Sequence, residues 1–219
     1  MRLSAEQKQG RLRNEDWFIA DASIAKSRNI VVNHHYAQGA ANTATTLHGL
    51  YRRVDMELCG VAWWIPPTRS AANAFWADPE EVLCLSRLVV IPDTPRNAAS
   101  FLLMNSVKMI DKRWRCLVTY ADKWRGHTVE IYRTCGWEYM GESKPERTYI
   151  LNDRMVARKA GQHTRTHAEM MAMGASMVGA FSKHRFRLIR KPSRHVEIVN
   201  NQMELIDQHG PATTPPQAA

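Results

Sequence analysis

Over residues 81–91 the chain is almost continuously apolar, with Val82, Leu83, Leu85, Leu88, Val89, Val90 and Ile91. Such a run predicts a central strand covered on both faces. Pro92 and Pro95 end it. Over residues 97–112, Phe101, Leu102, Met104, Val107, Met109 and Ile110 recur at helical spacing, which predicts an amphipathic helix. Residues 115–120 predict the next strand, centred on Leu117 and Val118, and residues 126–135 a second helix that ends at Gly136 as its C-cap. Alternating strands and helices require an α/β layer with at least one parallel pair.

The flanks carry weaker patterns. Trp17, Ile19, Ala20 and Ile24 fit an amphipathic helix over residues 16–27, and Ile30-Val31-Val32 reads as a short strand ending at His34-His35-Tyr36. Residues 45–54 and 57–65 predict a strand pair turning near Asp55-Met56. Residues 137–140 and 147–151 read as a closing hairpin, and the Met- and Ala-rich residues 168–180 as a helix. Residues 181–190 alternate basic and apolar side chains, as a charge-protected edge strand would. The Pro/Thr/Gln/Ala composition of residues 210–219 has no core-forming content and predicts a disordered tail. The reading is thus a catalytic domain over residues 1–155, a basic extension over 156–209 and the tail.

Composition changes the picture in two ways. The 219 residues, 44% hydrophobic, suffice for one domain with a sizeable core. No apolar run has the length to span a bilayer, and Met1-Arg2-Leu3-Ser4-Ala5-Glu6 does not open a signal peptide, so a cytoplasmic protein is expected. The formal net charge of +9 suits a polyanionic partner, because each phosphate contact releases condensed counterions; charge alone also fits a merely soluble basic protein. Cys59, Cys84, Cys116 and Cys135 form no CxxC pair and read as reduced core residues.

Three separated phrases, NHHYAQG, LSRLVVIPDTPRNAASFLL and TYADKWRGHTVEIYRTCGWEYMG, occur in that order, with the basic KHRFRLIR further on. Over residues 30–151 the chain resembles the Mom DNA-modification proteins of Mu-like phages, a branch of the GNAT acetyltransferase superfamily. The resemblance implies a GNAT-like mixed central sheet flanked by helices. It also implies conversion of adenine in DNA to its N6-carbamoylmethyl form, which protects phage DNA from restriction in the cytoplasm of the host bacterium. The alternatives are an ordinary N-acetyltransferase of a protein or small amine, and a non-catalytic nucleic-acid-binding protein.

One departure stands out. The superfamily's phosphate-binding turn is rich in Gly and Arg, whereas Pro95-Arg96-Asn97-Ala98-Ala99-Ser100 has no glycine. Arg96 and Asn97 remain candidates to meet a donor phosphate. The donor is open between acetyl-CoA and an activated glycine such as glycyl-tRNA. In the second case glycyl transfer to N6, followed by attack of the glycyl amine on ring carbon C6, yields the carbamoylmethyl product.

The catalytic candidates carry structural alternatives. Asp122, at the carboxyl end of a strand, serves as a positioning or deprotonating group, or as a loop N-cap. Tyr132, mid-helix, is a core-edge residue or, by the resemblance, a general acid. His35 and Tyr36 align with the family's His-Tyr pair, and His35 suits proton transfer. These two with Asp122 also form a donor set for iron. Ser86 and Arg87 interrupt an apolar strand; a charge there is either in a buried salt bridge or recognises an anion or carbonyl. For double-stranded DNA the candidates are Lys123, Trp124 and Arg125, with Trp124 stacking on a flipped base, and Lys183, Arg185, Arg187 and Arg190 as phosphate contacts.

Overall fold

The computed structural model describes residues 10–36, 39, 41–125, 129–160 and 163–191. Expectations for residues 1–6, for a helix start at Gly126, and for residues 192–219 lie outside the described residues. The elements in order are β1 (Trp17–Asp21), α1 (Ile24–His34), β2 (Thr46–Arg52), β3 (Glu57–Ile65), α2 (Arg69–Asn73), β4 (Val82–Val90), α3 (Ala98–Met109), β5 (Cys116–Asp122) and α4 (Glu130–Thr134). There follow β6 (Glu138–Glu142), β7 (Glu146–Leu151), β8 (Arg154–Val156), β9 (Lys159–Ala160), β10 (His163–Thr164), α5 (His167–Ala172), β11 (Ser176–Phe181) and β12 (Lys183–Ile189). Seven strands make one mixed sheet in the order β1-β2-β3-β4-β5-β12-β6, and β11-β7-β8 form a separate small sheet. The α/β class, the β2–β3 hairpin, the buried β4 and the helix after it all match the sequence pattern.

Within the large sheet, β4 and β5 are parallel and every other adjacent pair among the described residues is antiparallel. Both faces of the sheet are covered. On one, Ala98, Leu102 and Leu103 of α3 pack with Trp64, Leu83, Leu85, Leu117, Trp137 and Phe186. On the other, Val31 of α1 packs with Val61, Trp63 and Val89, while Ala72 and Phe75 pack with Cys84, Cys116 and Val118.

Five local expectations give way to the tertiary structure. Residues 17–21 form a strand, not the start of a helix, because all five pair with β2 and bury Trp17. The helix begins only at Ile24, where the Ser23 side chain caps it by accepting from the Lys26 N–H. Ile30-Val31-Val32 lies inside that helix: Val31 is fully buried and Val32 exposed, the pattern of one helical face rather than a strand. Residues 138–142 and 146–151 do not pair with each other; β6 joins β12 in the large sheet and β7 joins β11 and β8. The Met-rich segment is a helix only to Ala172, because Gly174 at φ +82° turns the chain into β11. Finally, β12 is not an edge strand. It lies between β5 and β6, so the boundary drawn at residue 155 does not separate residues 183–189 from the sheet.

The turn from α4 into β6 is as the sequence indicates. Gly136 at φ +79° lets its own N–H reach the Arg133 carbonyl while the Trp137 N–H reaches the Tyr132 carbonyl, the paired bonds of a Schellman C-cap. The apolar contact of that motif is the Trp137 ring edge-on to Tyr132 at 5.9 Å.

A buried polar network ties α3 to the sheet. Trp64 Nε1 donates to Ser106 Oγ at 2.8 Å, and Ser106 Oγ lies 2.7 Å from His48 Nδ1. The other ring nitrogen of His48 meets Thr46 Oγ1 at 2.9 Å. Burial pulls the His48 pKa below its ordinary 6.5, against a smaller upward pull from Asp21.

These features give two predictions. A Cβ on Gly136 meets no atom within 4 Å, so Gly136→Ala has only the left-handed backbone to oppose it. It should cost about 1–2 kcal/mol in chemical denaturation, and Gly136→Asn less. For His48, the native state binds fewer protons than the unfolded chain below its unfolded pKa. Its stabilising share is therefore complete above about pH 6.5 and is lost as pH falls. The thermal midpoint should drop between about pH 7 and pH 5, and more shallowly in His48→Gln; equal slopes would assign the dependence to other groups.

Candidate active site at the parting of the parallel strands

The parallel pairing of β4 and β5 runs through four registers, from Val82 opposite Cys116 to Leu85 opposite Thr119. There β4 bulges. Leu85 faces Trp64 and Arg87 faces Trp63, which leaves Ser86 as the extra residue. Beyond it β4 stays with β3 while Tyr120, Ala121 and Asp122 stay with β12. The carboxyl ends of the two strands therefore open a gap in the sheet, the place where open α/β sheets take ligands.

Side-chain alternation divides the candidates between the two faces of that gap. Tyr132 belongs to the α3/α4 face, its ring 5.1 Å from that of Phe186. Burial raises its pKa, so the phenol keeps its proton. Arg87, Tyr120 and Asp122 belong to the opposite face, as their register partners Trp63, Arg185 and Lys183 show.

Arg87 is half-buried, and the bulge sets its head group. Its Nε donates to the Gly39 carbonyl at 2.9 Å, and Nη1 to the Ser86 carbonyl at 2.7 Å and to Ser86 Oγ at 3.3 Å. Among the described residues no carboxylate forms a salt bridge with it, so the buried-ion-pair alternative falls away. Burial lowers its pKa, against an opposing pull from Tyr36. His35 is the residue that caps α1, not a strand terminus, and its ring lies 4.4 Å from that of Tyr36. The end of α1 and the β4 bulge thus lie near one another, with Arg87 bound to the Gly39 carbonyl and Tyr36 close enough to act on its charge.

Asp122 is the last residue of β5 and is buried. Its Oδ1 accepts from the Trp124 N–H at 3.1 Å and so caps the short turn of Lys123, Trp124 and Arg125. The loop-capping alternative is therefore present in fact. Among the described residues, no three His, Cys, Asp or Glu side chains are grouped to hold a metal. The sequence pattern did not single out Thr119 or Tyr120. Only the register reveals them, at and just beyond the last parallel pair.

On the donor side, Arg96 is exposed. The Asn97 side chain is already engaged: its Oδ1 accepts from the Leu12 N–H at 2.7 Å, and it makes no cap bond to α3. The turn over residues 95–100 contains no glycine.

The basic residues are more committed than their alternation implies. Lys183, Arg185 and Arg187 do share one face of β12, with Phe186 buried on the other. Arg187 makes a two-point contact to Glu138 at 2.7 and 3.2 Å and donates to the Phe75 carbonyl. Arg185 donates to the Met140 carbonyl and lies over the Phe75 ring. Arg190 follows the strand and donates to the carbonyls of Ile110, Asp111 and Trp114 at the end of α3. Lys123 pairs with Glu142 at 2.8 Å, and the Trp124 ring lies 6.0 Å from Phe181.

The fold is found among solved acetyltransferases. NAA60 of Arabidopsis thaliana in complex with a bisubstrate analogue aligns with a TM-score of 0.54 at 11% identity, covering 81% of this chain and 99% of that one. A Bacillus subtilis acetyltransferase in complex with CoA gives 0.51 at 7%, over 80% and 99%. A GNAT family acetyltransferase from Elizabethkingia anophelis with acetyl-CoA bound gives 0.50 at 11%, over 81% and 100%. No curated protein matches the sequence. The opening at β4 and β5 is thus carried on a GNAT-like mixed sheet, and the Mom protein family model matches residues 16–207 across it, so the chain belongs to the Mom protein family.

Proposed function

We propose that this protein is a transferase that places a carbamoylmethyl group on the exocyclic N6 of adenine in double-stranded DNA, as a phage defence against host restriction. The observation that carries the reading is the family match over residues 16–207. The end of α1 near Arg87 at one face of the sheet opening, with Tyr132 at the other, agrees with it.

Adenine N6 lies in the pairing edge of a duplex, so the base must leave the stack to be modified. The exocyclic amine is a weak nucleophile and needs an oriented electrophile and a proton acceptor. Arg87 is a cation presented beside the opening, placed to hold a carbonyl or anionic group of the donor. His35 is the candidate to take the N6 proton. Tyr132, held protonated by burial, is suited to give a proton to the leaving group. Asp122 acts at one remove, fixing the Lys123–Arg125 turn beside which an extruded base would stack on Trp124.

The solved relatives with CoA or acetyl-CoA bound make acetyl-CoA one candidate donor. At the head of α3 the Asn97 side chain is engaged by the Leu12 N–H, which leaves Arg96 as the exposed side chain of that turn. Nothing in the described residues favours glycyl-tRNA or iron. DNA contact by Arg185, Arg187 and Arg190 requires those side chains to share or exchange their internal partners, while Lys183 shares a face of the strand with the first two.

Expression in bacteria should leave a carbamoylmethylated adenine nucleoside in digested cellular DNA, detected by mass spectrometry, together with resistance at adenine-containing restriction sites. Soluble, folded protein with an unmodified adenine pool would overturn the proposal; an acetylated protein or small amine in its place would favour ordinary N-acetyl transfer. Tyr132→Phe retains the ring and its packing. It should lower modification by roughly 10²-fold or more with little change in stability. Modification at the parent level would return Tyr132 to a packing role.

A further inference from the structure

The chain leaves the large sheet after Glu142, the last residue of β6, and re-enters it at Lys183, the first of β12. Both points lie beside the candidate site. Lys183 pairs with Asp122, the carboxyl end of β5, and His184 pairs with Glu142. The excursion between them folds on a core of its own. Tyr149, Met170 and Ala175 are buried together, with Leu151 and Val156 packed against them. The Tyr149 hydroxyl lies 2.9 Å from His167 Nδ1, and a capping box of Thr166 and Glu169 starts α5. Phe181, at the end of β11, meets the Trp124 ring at 6.0 Å. A folded unit thus stands at the edge of the sheet where β4 and β5 part.

The charges of this unit fall into two groups. One is spent internally. Arg158 donates to the Arg165 carbonyl at 2.9 Å and Arg165 to the Ala157 carbonyl at 3.3 Å, while the Glu169 carboxylate meets the Thr166 N–H and His163. The other group is Lys144, Arg147, Arg154 and Lys159. All four are exposed, and among the described residues no side-chain hydrogen bond or ion pair engages them. Alternation puts Arg147 on the face of β7 that carries Tyr149 and Leu151. Arg154, opposite Leu151, shares that face with Val156. The two arginines therefore flank the patch that Met170 of α5 covers, about 13 Å apart along the strand. Glu146 turns to the other face of β7, and Asp153 sits in the left-handed turn between β7 and β8.

We propose that this unit is a docking surface for double-stranded DNA, on which Lys144, Arg147, Arg154 and Lys159 hold phosphates while the sheet opening takes the target base. The inference rests on the reading of the protein as a DNA-modifying enzyme and places its duplex on a surface other than β12. A cation with no internal partner gives up no protein contact when it meets a phosphate, and each such contact releases condensed counterions. The arginines of β12 and its end must first leave Glu138 or backbone carbonyls. The separation of Arg147 and Arg154 is roughly four phosphate steps of one duplex strand. Met171, Met173 and Met177 are exposed on the same unit. An isologous contact between two copies over this surface would set the same cations against one another, whereas a polyanion is attracted to them.

The test is duplex affinity against salt for the full chain, measured by fluorescence anisotropy on duplexes of unrelated sequence. A variant with Lys144, Arg147, Arg154 and Lys159 all changed to Gln should bind about tenfold or more weakly, with a salt slope smaller by about two to four. Its thermal midpoint should stay at the parent value, because these side chains hold nothing in the fold. Should that variant fail to fold, R147Q/R154Q carries the test and should lower the slope by about one to two. An unchanged slope in a folded variant would overturn the proposal, as would a parent that binds no duplex. A slope that falls for R185Q/R187Q alone would move the duplex to β12. Altered sedimentation with unaltered DNA binding would assign the surface to a second copy, and either result overturns the proposal. Nucleoside analysis of DNA from expressing cells separates this inference from the function on which it rests. Duplex binding that depends on these residues, with adenine left unmodified, keeps the surface and removes the chemistry; modified adenine with an unchanged slope does the reverse.

Discussion

Strands β4 and β5 run side by side for four residue pairs and then part, and the rest of the candidate site hangs on that parting. The extra residue Ser86 causes it by swinging the end of β4 toward β3. The same bulge presents Arg87, whose guanidinium is then fixed by carbonyls of Ser86 and Gly39 rather than by a carboxylate. A half-buried cation balanced by neutral dipoles keeps its charge available to a ligand. Thr119 closes the paired section, and Tyr132 packs on the face of the sheet opposite Arg87.

The long basic strand shows how far formal charge can mislead. The chain carries +9, and much of the density falls within residues 183–191. Because β12 is inserted between β5 and β6, its arginines enter a packed sheet and must satisfy many donors there. Arg187 ties β12 to β6 through Glu138, and Arg190 binds carbonyls at the end of α3. These side chains lock the late strand into the sheet, and any role toward phosphate is added to that one.

The N-terminal segment bears on the donor in a similar way. Leu12 packs into the main core and its N–H is held by Asn97, at the head of α3. A side chain of the turn before that helix is thus spent on the protein's own backbone. The cysteines are likewise spent internally: burial holds Cys59 and Cys84 at about 12 and Cys116 at about 11, so they remain thiols in the core.

Where periodicity was long and dense, as in β4, α3 and β5, local sequence determined both the type of element and its order, because burial on both faces leaves little choice of conformation. The glycine after α4 fixed its turn for the equally local reason that only a positive φ completes the cap. The three family phrases determined the lineage and pointed to His35, Arg87, Asp122 and Tyr132. Tertiary structure decided the remainder. Trp17 and Ile19 suit a helix or a strand, and pairing with β2 chose the strand; Val31 suits either, and the space beneath α1 chose the helix. No local signal could place β12 between β5 and β6, since its partners lie from 42 to 73 residues away, from His184 opposite Glu142 to Ile189 opposite Cys116. For the same reason the sequence left Thr119 unremarked: its partner Leu85 belongs to another strand, and only long-range strand pairing brings the hydroxyl to that carbonyl.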